Sequence, residues 1–190
     1  MDNNTYHYFI GIPFPMPMAE QIHEKLVQSP AFSFGKYVHP ADYHLTLVFL
    51  GKSDDAQLHI VAKNIKEIAG KTERIPLHFM HTNVFGDARR PRIFFIRPEH
   101  SDALMDLREE VKQVAEEAGF YIEKRPFKPH VTIAKKWKQE GSYPGNAEAD
   151  QLFDLDMKDL FDRITIFKTH LNKSPMYESI YTSELKGSSF

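Results

Sequence analysis

Two short segments carry the same tetrad: His44-Leu45-Thr46-Leu47 within DYHLTLVFLG and His130-Val131-Thr132-Ile133 within FKPHVTIAKK. In a β-strand successive side chains alternate between faces, so each His shares a face with its Thr while the apolar pair takes the other. A strand that buries Leu45 and Leu47, or Val131 and Ile133, therefore presents an imidazole beside a hydroxyl. One such strand reads as well as a packed strand with a hydrogen-bonded His. Two, half a chain apart, point to matched halves that face one cleft. Histidine titrates near neutrality, so a pair can act as base and acid together. Threonine adds a donor for an anionic oxygen without a charge of its own. That set suits phosphodiester cleavage, in which a water loses a proton and a leaving alkoxide gains one.

The elements around the tetrads follow from periodicity and punctuation. Strands are expected at 6–12, 44–50, 75–85, 92–97, 127–137, 161–171 and 176–185, and helices at 19–28, 54–69 and 101–118. Leu58, Val61, Ile65 and Ile68 form one helical stripe, and Leu104, Leu107, Val111, Val114 and Ala115 another, with Gly70 and Gly119 as stops. Segments 29–40 and 138–151 read as loops. Each half thus supplies strands, one tetrad strand and a substantial helix. The fold class is α+β with an internal pseudo-repeat, not a parallel doubly wound sheet. No linker interrupts the pattern, so residues 1–190 are expected to form one domain.

Composition excludes several function classes. The chain of 190 residues is 42% hydrophobic and 26% charged, typical of a globular protein. Without a single cysteine it has no disulfide, thiolate nucleophile or Cys-based zinc site. No apolar run approaches the ~20 residues that span a bilayer, and the start, MDNNTYHYFIGI, lacks the basic region of a secretory signal. A cytoplasmic location and no membrane partner are expected. A net charge of −2 argues against coating long nucleic acids but not against acting on a single phosphate. Charge is locally uneven: Lys124, Arg125, Lys128, Lys135, Lys136 and Lys138 surround His130 with no acidic residue among 124–138. Such a run either guards a strand edge or attracts phosphate. No HExxH or tight His/Asp/Glu cluster marks a metal site, and no Gly-rich phosphate loop appears.

The paired tetrads resemble the two signature motifs of the 2H phosphoesterase superfamily, and their flanks resemble its RNA 2',3'-cyclic phosphodiesterase (2'-5' RNA ligase-like) branch. Phe49-Leu50-Gly51 follow the first tetrad, Pro126-Phe127-Lys128-Pro129 lead into the second, and Gly86 to Ile96 with Arg90-Pro91-Arg92 is similar to the family's central hairpin. The resemblance runs from about Tyr6 to about Tyr181. It implies two pseudo-symmetric lobes of antiparallel sheet with outer helices and a groove between them. It also implies a monomer without metal or other cofactor that hydrolyses 2',3'-cyclic phosphate ends of RNA or small nucleotides to a 2'-phosphate. His44 would be the general acid and His130 the general base, although the residues themselves leave this polarity open. Thr46 and Thr132 would hold the phosphate oxygens. The family often places an Arg two residues beyond the second tetrad, where this chain has Lys135, which would also bind the phosphate; strict alternation would put Lys136 on the His130 face, so a twist or the strand end must intervene if Lys135 acts. Phe49, Phe127 and Tyr43 are candidates for stacking on a base, but Phe49 shares the Leu45/Leu47 face, which favours the core for it. An RNA-end-binding module with weak or reverse 2'-5' ligase activity is the alternative.

Overall fold

In the computed structural model, which describes residues 6–187, nine strands form one sheet in the order β7-β4-β5-β6-β3-β1-β8-β9, with β2 attached to β6. The strands are β1 (His7–Pro13), β2 (Phe34–Tyr37), β3 (His44–Gly51), β4 (Ile75–Gly86), β5 (Pro91–Pro98), β6 (Val131–Trp137), β7 (Met157–Phe161), β8 (Arg163–Thr169) and β9 (Tyr177–Glu184). The helices are α1 (Met16–Gln28), α2 (Asp55–Ala69), α3 (Asp102–Glu117) and α4 (Asn146–Phe153). Every paired strand is antiparallel. The α+β class and the pseudo-repeat hold: β9-β8-β1-β3 on one side mirror β7-β4-β5-β6 on the other. The two expected sheets are joined through the tetrad strands, which touch at the Leu45–Val131 pair.

One face of the sheet is sealed by helices. Leu58, Val61 and Ile65 of α2 and Leu104, Leu107 and Val111 of α3 share a core with Leu45, Leu47, Val131 and Ile133. Burying each such side chain contributes on the order of 2 kcal/mol. The α2 and α3 starts are set by caps: Asp54 accepts from the Gln57 amide (2.8 Å) and Ser101 from the Leu104 amide (3.3 Å). Phe9, Phe95 and Phe167 are also buried but lie outside this core, in an aromatic layer on the opposite, open face.

Three elements differ from the sequence reading. Segment 29–40 contains β2, which hydrogen-bonds along β6, and 138–151 runs into α4. Both are short and their apolar residues, Phe34 and Ala149 and Phe153, are too few to show a period. The expected strand at 161–171 is β8, and an unexpected strand, β7, precedes it and lies at the other end of the sheet. Gly11 is required where β1 crosses the first tetrad: a Cβ there would sit 2.8 Å from the Leu45 carbonyl oxygen.

Candidate active site

The antiparallel Leu45–Val131 pair fixes the four polar residues of the tetrads. Moving one residue along each strand puts His44 across from Thr132, and Thr46 across from His130, on the face away from the core. The four form a square at the centre of the sheet, where its pseudo-symmetric halves meet. The hydroxyls of Thr46 and Thr132 make no hydrogen bond to protein among the described residues.

Both imidazoles are held in the same way. His44 Nδ1 lies 2.7 Å from the Asp42 carbonyl oxygen and His130 Nδ1 lies 2.7 Å from the Lys128 carbonyl oxygen. A carbonyl only accepts, so Nδ1 carries the hydrogen in each ring and Nε2 is left to exchange a proton. Each ring also leans on phenylalanines from the next two strands. For His44 these are Phe9 (4.6 Å between centroids) and Phe167 (5.6 Å), with Tyr177 edge-on at 4.9 Å. For His130 they are Phe95 (5.1 Å) and Phe85 (5.0 Å).

This packing sets the electrostatics. The His44 pKa falls to about 4, chiefly by burial, with His130 and Lys135 adding to the fall and the bond to the Asp42 carbonyl and the Asp42 charge opposing it. Burial likewise lowers His130, against the bond from its ring to the Lys128 carbonyl. Both rings are therefore neutral in the free protein at pH 7, and an anion placed between them raises both.

A β-bulge decides what lies beyond each tetrad. In β3 Ile10 pairs with Val48 but Gly11 pairs with Thr46, which leaves Leu47 as the extra residue. In β6 Phe94 pairs with Ala134 but Phe95 pairs with Thr132, which leaves Ile133. These are the fourth residues of their tetrads. Leu47 and Val48 are both buried, as are Ile133 and Ala134, so alternation slips by one residue. The next side chains, Phe49 and Lys135, return to the site face.

The bulges correct one expectation and put Lys135 on the site face. Phe49 is 69% exposed and its ring lies 6.0 Å from Phe9, so it belongs to the open face and not to the core. Lys135, not Lys136, lies on the His130 face; Lys136 takes a left-handed backbone (φ 63°) and turns outward. Burial and the neighbouring Lys36 lower the Lys135 pKa. Tyr43 is a further correction: it is 2% exposed and faces Phe14 in the core, which removes it from base stacking. Phe127 is half-buried under the Arg108 guanidinium (5.4 Å), with an edge toward a cavity beside His130. Of the basic run, Arg125 is engaged by Glu123 (2.8 Å).

Sequence reasoning missed Asp42. Its buried carboxylate accepts the backbone amides of Met176 (2.9 Å) and Tyr177 (3.0 Å), pinning the start of β9 so that Tyr177 meets His44. An acidic residue two before the tetrad was the available signal, but its partners are distant in sequence.

Residues 15–172 match the model of the 2'-5' RNA ligase superfamily. The chain belongs to that superfamily. It is 38% identical to the RNA 2',3'-cyclic phosphodiesterase of Bacillus subtilis (strain 168), over 94% of this chain and 96% of the relative. A relative of the same name from Geobacillus stearothermophilus is 30% identical over 95% of this chain and 58% of its own length. The superfamily fold recurs in the crystal structure of E. coli LigT complexed with 3'-AMP, at TM-score 0.77 and 18% identity, covering 96% of this chain and 99% of that one. A protein of Thermus thermophilus superposes at TM-score 0.80 and 20% identity, over 96% of this chain and 100% of the other.

Proposed function

We propose that this superfamily member hydrolyses 2',3'-cyclic phosphate ends of RNA or small nucleotides to a 2'-phosphate, with His44 and His130 as the proton-transfer pair. The observation that carries the reading is the square of two imidazoles and two hydroxyls across the Leu45–Val131 pair, with both Nε2 atoms free. The 38% identity to an RNA 2',3'-cyclic phosphodiesterase over nearly the whole length supports it. A binding module would need the basic residues but not two titratable rings. The whole chain acts as one domain, each half contributing one tetrad.

In the reaction His130 Nε2 takes a proton from water as its oxygen bonds to phosphorus. The P–O3' bond breaks, and protonated His44 delivers its proton to O3', leaving a 2'-phosphate and a 3'-hydroxyl. The polarity follows family precedent. Depressed pKa values assign neither role, because the phosphate enters between both rings. Thr46 and Thr132 donate to the non-bridging oxygens where charge grows. Lys135 adds a positive charge, as a point and not as a bidentate fork. Phe49, exposed on the same face, is placed to stack on the terminal base.

Incubating the protein with 2',3'-cyclic AMP and with a cyclic-phosphate-ended RNA in EDTA tests the reading. A 2'-phosphate product from either substrate is expected. No turnover of either, with intact fold, would refute it.

A further inference from the structure

Next to His130 the open face deepens into a cavity of about 530 Å³. Its inner wall is made by Phe85 and Phe95, the two rings that pack on His130, and its outer wall by Met105 and Phe127. Arg97 and Lys128 also line it, and neither has an ion-pair partner among the described residues. The carboxylate on its rim, Glu99, is held by His78 Nδ1 at 2.8 Å. A volume within the ~300–1,000 Å³ of small-ligand sites, an apolar wall and two free cations suit a planar base attached to a phosphate.

We propose that this cavity seats a second nucleotide of the RNA end, its base against Phe127 and Met105 and its phosphodiester between Arg97 and Lys128. The assignment rests on the cyclic phosphodiesterase reading and sharpens it: the protein turns over a cyclic mononucleotide but prefers an end with a second nucleotide. Three observations point the same way. The cavity shares two rings with the His130 packing, so its occupant is one connection away from the scissile phosphate. Phe49, exposed on the same open face, leaves the terminal base a platform of its own on the proposed reading. And the cations are unpaired in a chain whose net charge is −2, which marks them as surplus to folding.

The test compares 2',3'-cyclic AMP with ApA ending in a 2',3'-cyclic phosphate, for the wild type, Arg97→Gln and Met105→Trp. One charge-assisted contact plus base burial predicts a kcat/KM for the dinucleotide about tenfold or more above the mononucleotide, mainly through KM. Arg97→Gln, and Met105→Trp by filling the cavity, should each remove most of that advantage while cyclic AMP turnover stays at wild-type level. Equal kcat/KM for both substrates in the wild type would overturn the proposal, as would an advantage that survives both substitutions. If the wild type turns over neither substrate, the phosphodiesterase reading fails instead. Calorimetric binding of ApA cyclic phosphate, compared between wild type and Arg97→Gln, then decides the cavity by itself: weaker binding by the variant supports it and unchanged binding overturns it.

Discussion

The two tetrad strands have one backbone design and two chemical surroundings. Each holds its imidazole through the carbonyl two residues earlier, each bulges at its fourth residue, and each returns the sixth side chain to the site face. On β3 that side chain is Phe49; on β6 it is Lys135. His44 is enclosed by three aromatic rings and braced by Asp42, whereas His130 has two rings and a cavity beside it. On the proposed reading, repetition supplies the matched proton-transfer pair, and divergence around it separates a stacking side from a charged side. The lesson is that the shared backbone sets which positions face substrate, and the residues at those positions set what the substrate is.

The largest effect expected is from the imidazoles themselves. His44→Ala and His130→Ala should each lower kcat about 10²–10⁴-fold, and the double variant should be little slower than either single one, because both rings serve one displacement. Additive losses in steady-state kinetics would break the pairing.

Asp42 tests the difference in bracing. Asp42→Ala leaves the Met176 and Tyr177 amides without their acceptor and should cost about 3 kcal/mol in denaturant unfolding, with turnover reduced as Tyr177 leaves His44. No equivalent residue supports His130, so loss of stability below about 0.5 kcal/mol would show that the asymmetry is not energetic.

Exchange at the sixth positions comes next. Lys135→Met should lower turnover roughly 10- to 100-fold on every substrate, whereas Phe49→Ala should mainly raise KM, by about 5-fold or more. Finding the two effects interchanged would reverse the division into charged and stacking sides.

Acid stability is a smaller effect. The His44 pKa is depressed from 6.5 to about 4 in the folded protein. Below 6.5 the unfolded chain binds a proton there that the native state resists, so the stabilisation is full above 6.5 and is lost as pH falls toward 4. On the order of 2 kcal/mol is at stake at the partly open ring. His44→Gln should flatten the decline between pH 6.5 and 4; a decline as steep as wild type would assign it to other groups.

Much of this was legible in the sequence. The tetrads, the helical stripes and the strand alternation carried the α+β class, the pseudo-repeat and the four central residues, because alternation is strict within the first three residues of each motif. It failed one residue later. Phe49 was placed in the core, and alternation counted against Lys135 as a site residue; the first reading reverses and the second objection falls because a bulge adds one residue without any Gly or Pro to mark it. The aromatic layer of Phe9, Phe85, Phe95 and Phe167 was hidden for a related reason: strands buried on both faces read as continuous apolar runs. Asp42 and Tyr177 meet only through tertiary structure, across more than half the chain.

The most direct test of the central claim, that one imidazole gives a proton while the other takes one, is the pH dependence of kcat/KM for a cyclic mononucleotide in wild type, His44→Ala and His130→Ala. The wild type should give a bell whose maximum lies on the acid side of 6.5, since burial lowers both rings. His44→Ala should lose the alkaline limb, and His130→Ala the acid limb. Variants that both retain the full bell, or a variant with wild-type kcat, would contradict the two-histidine account.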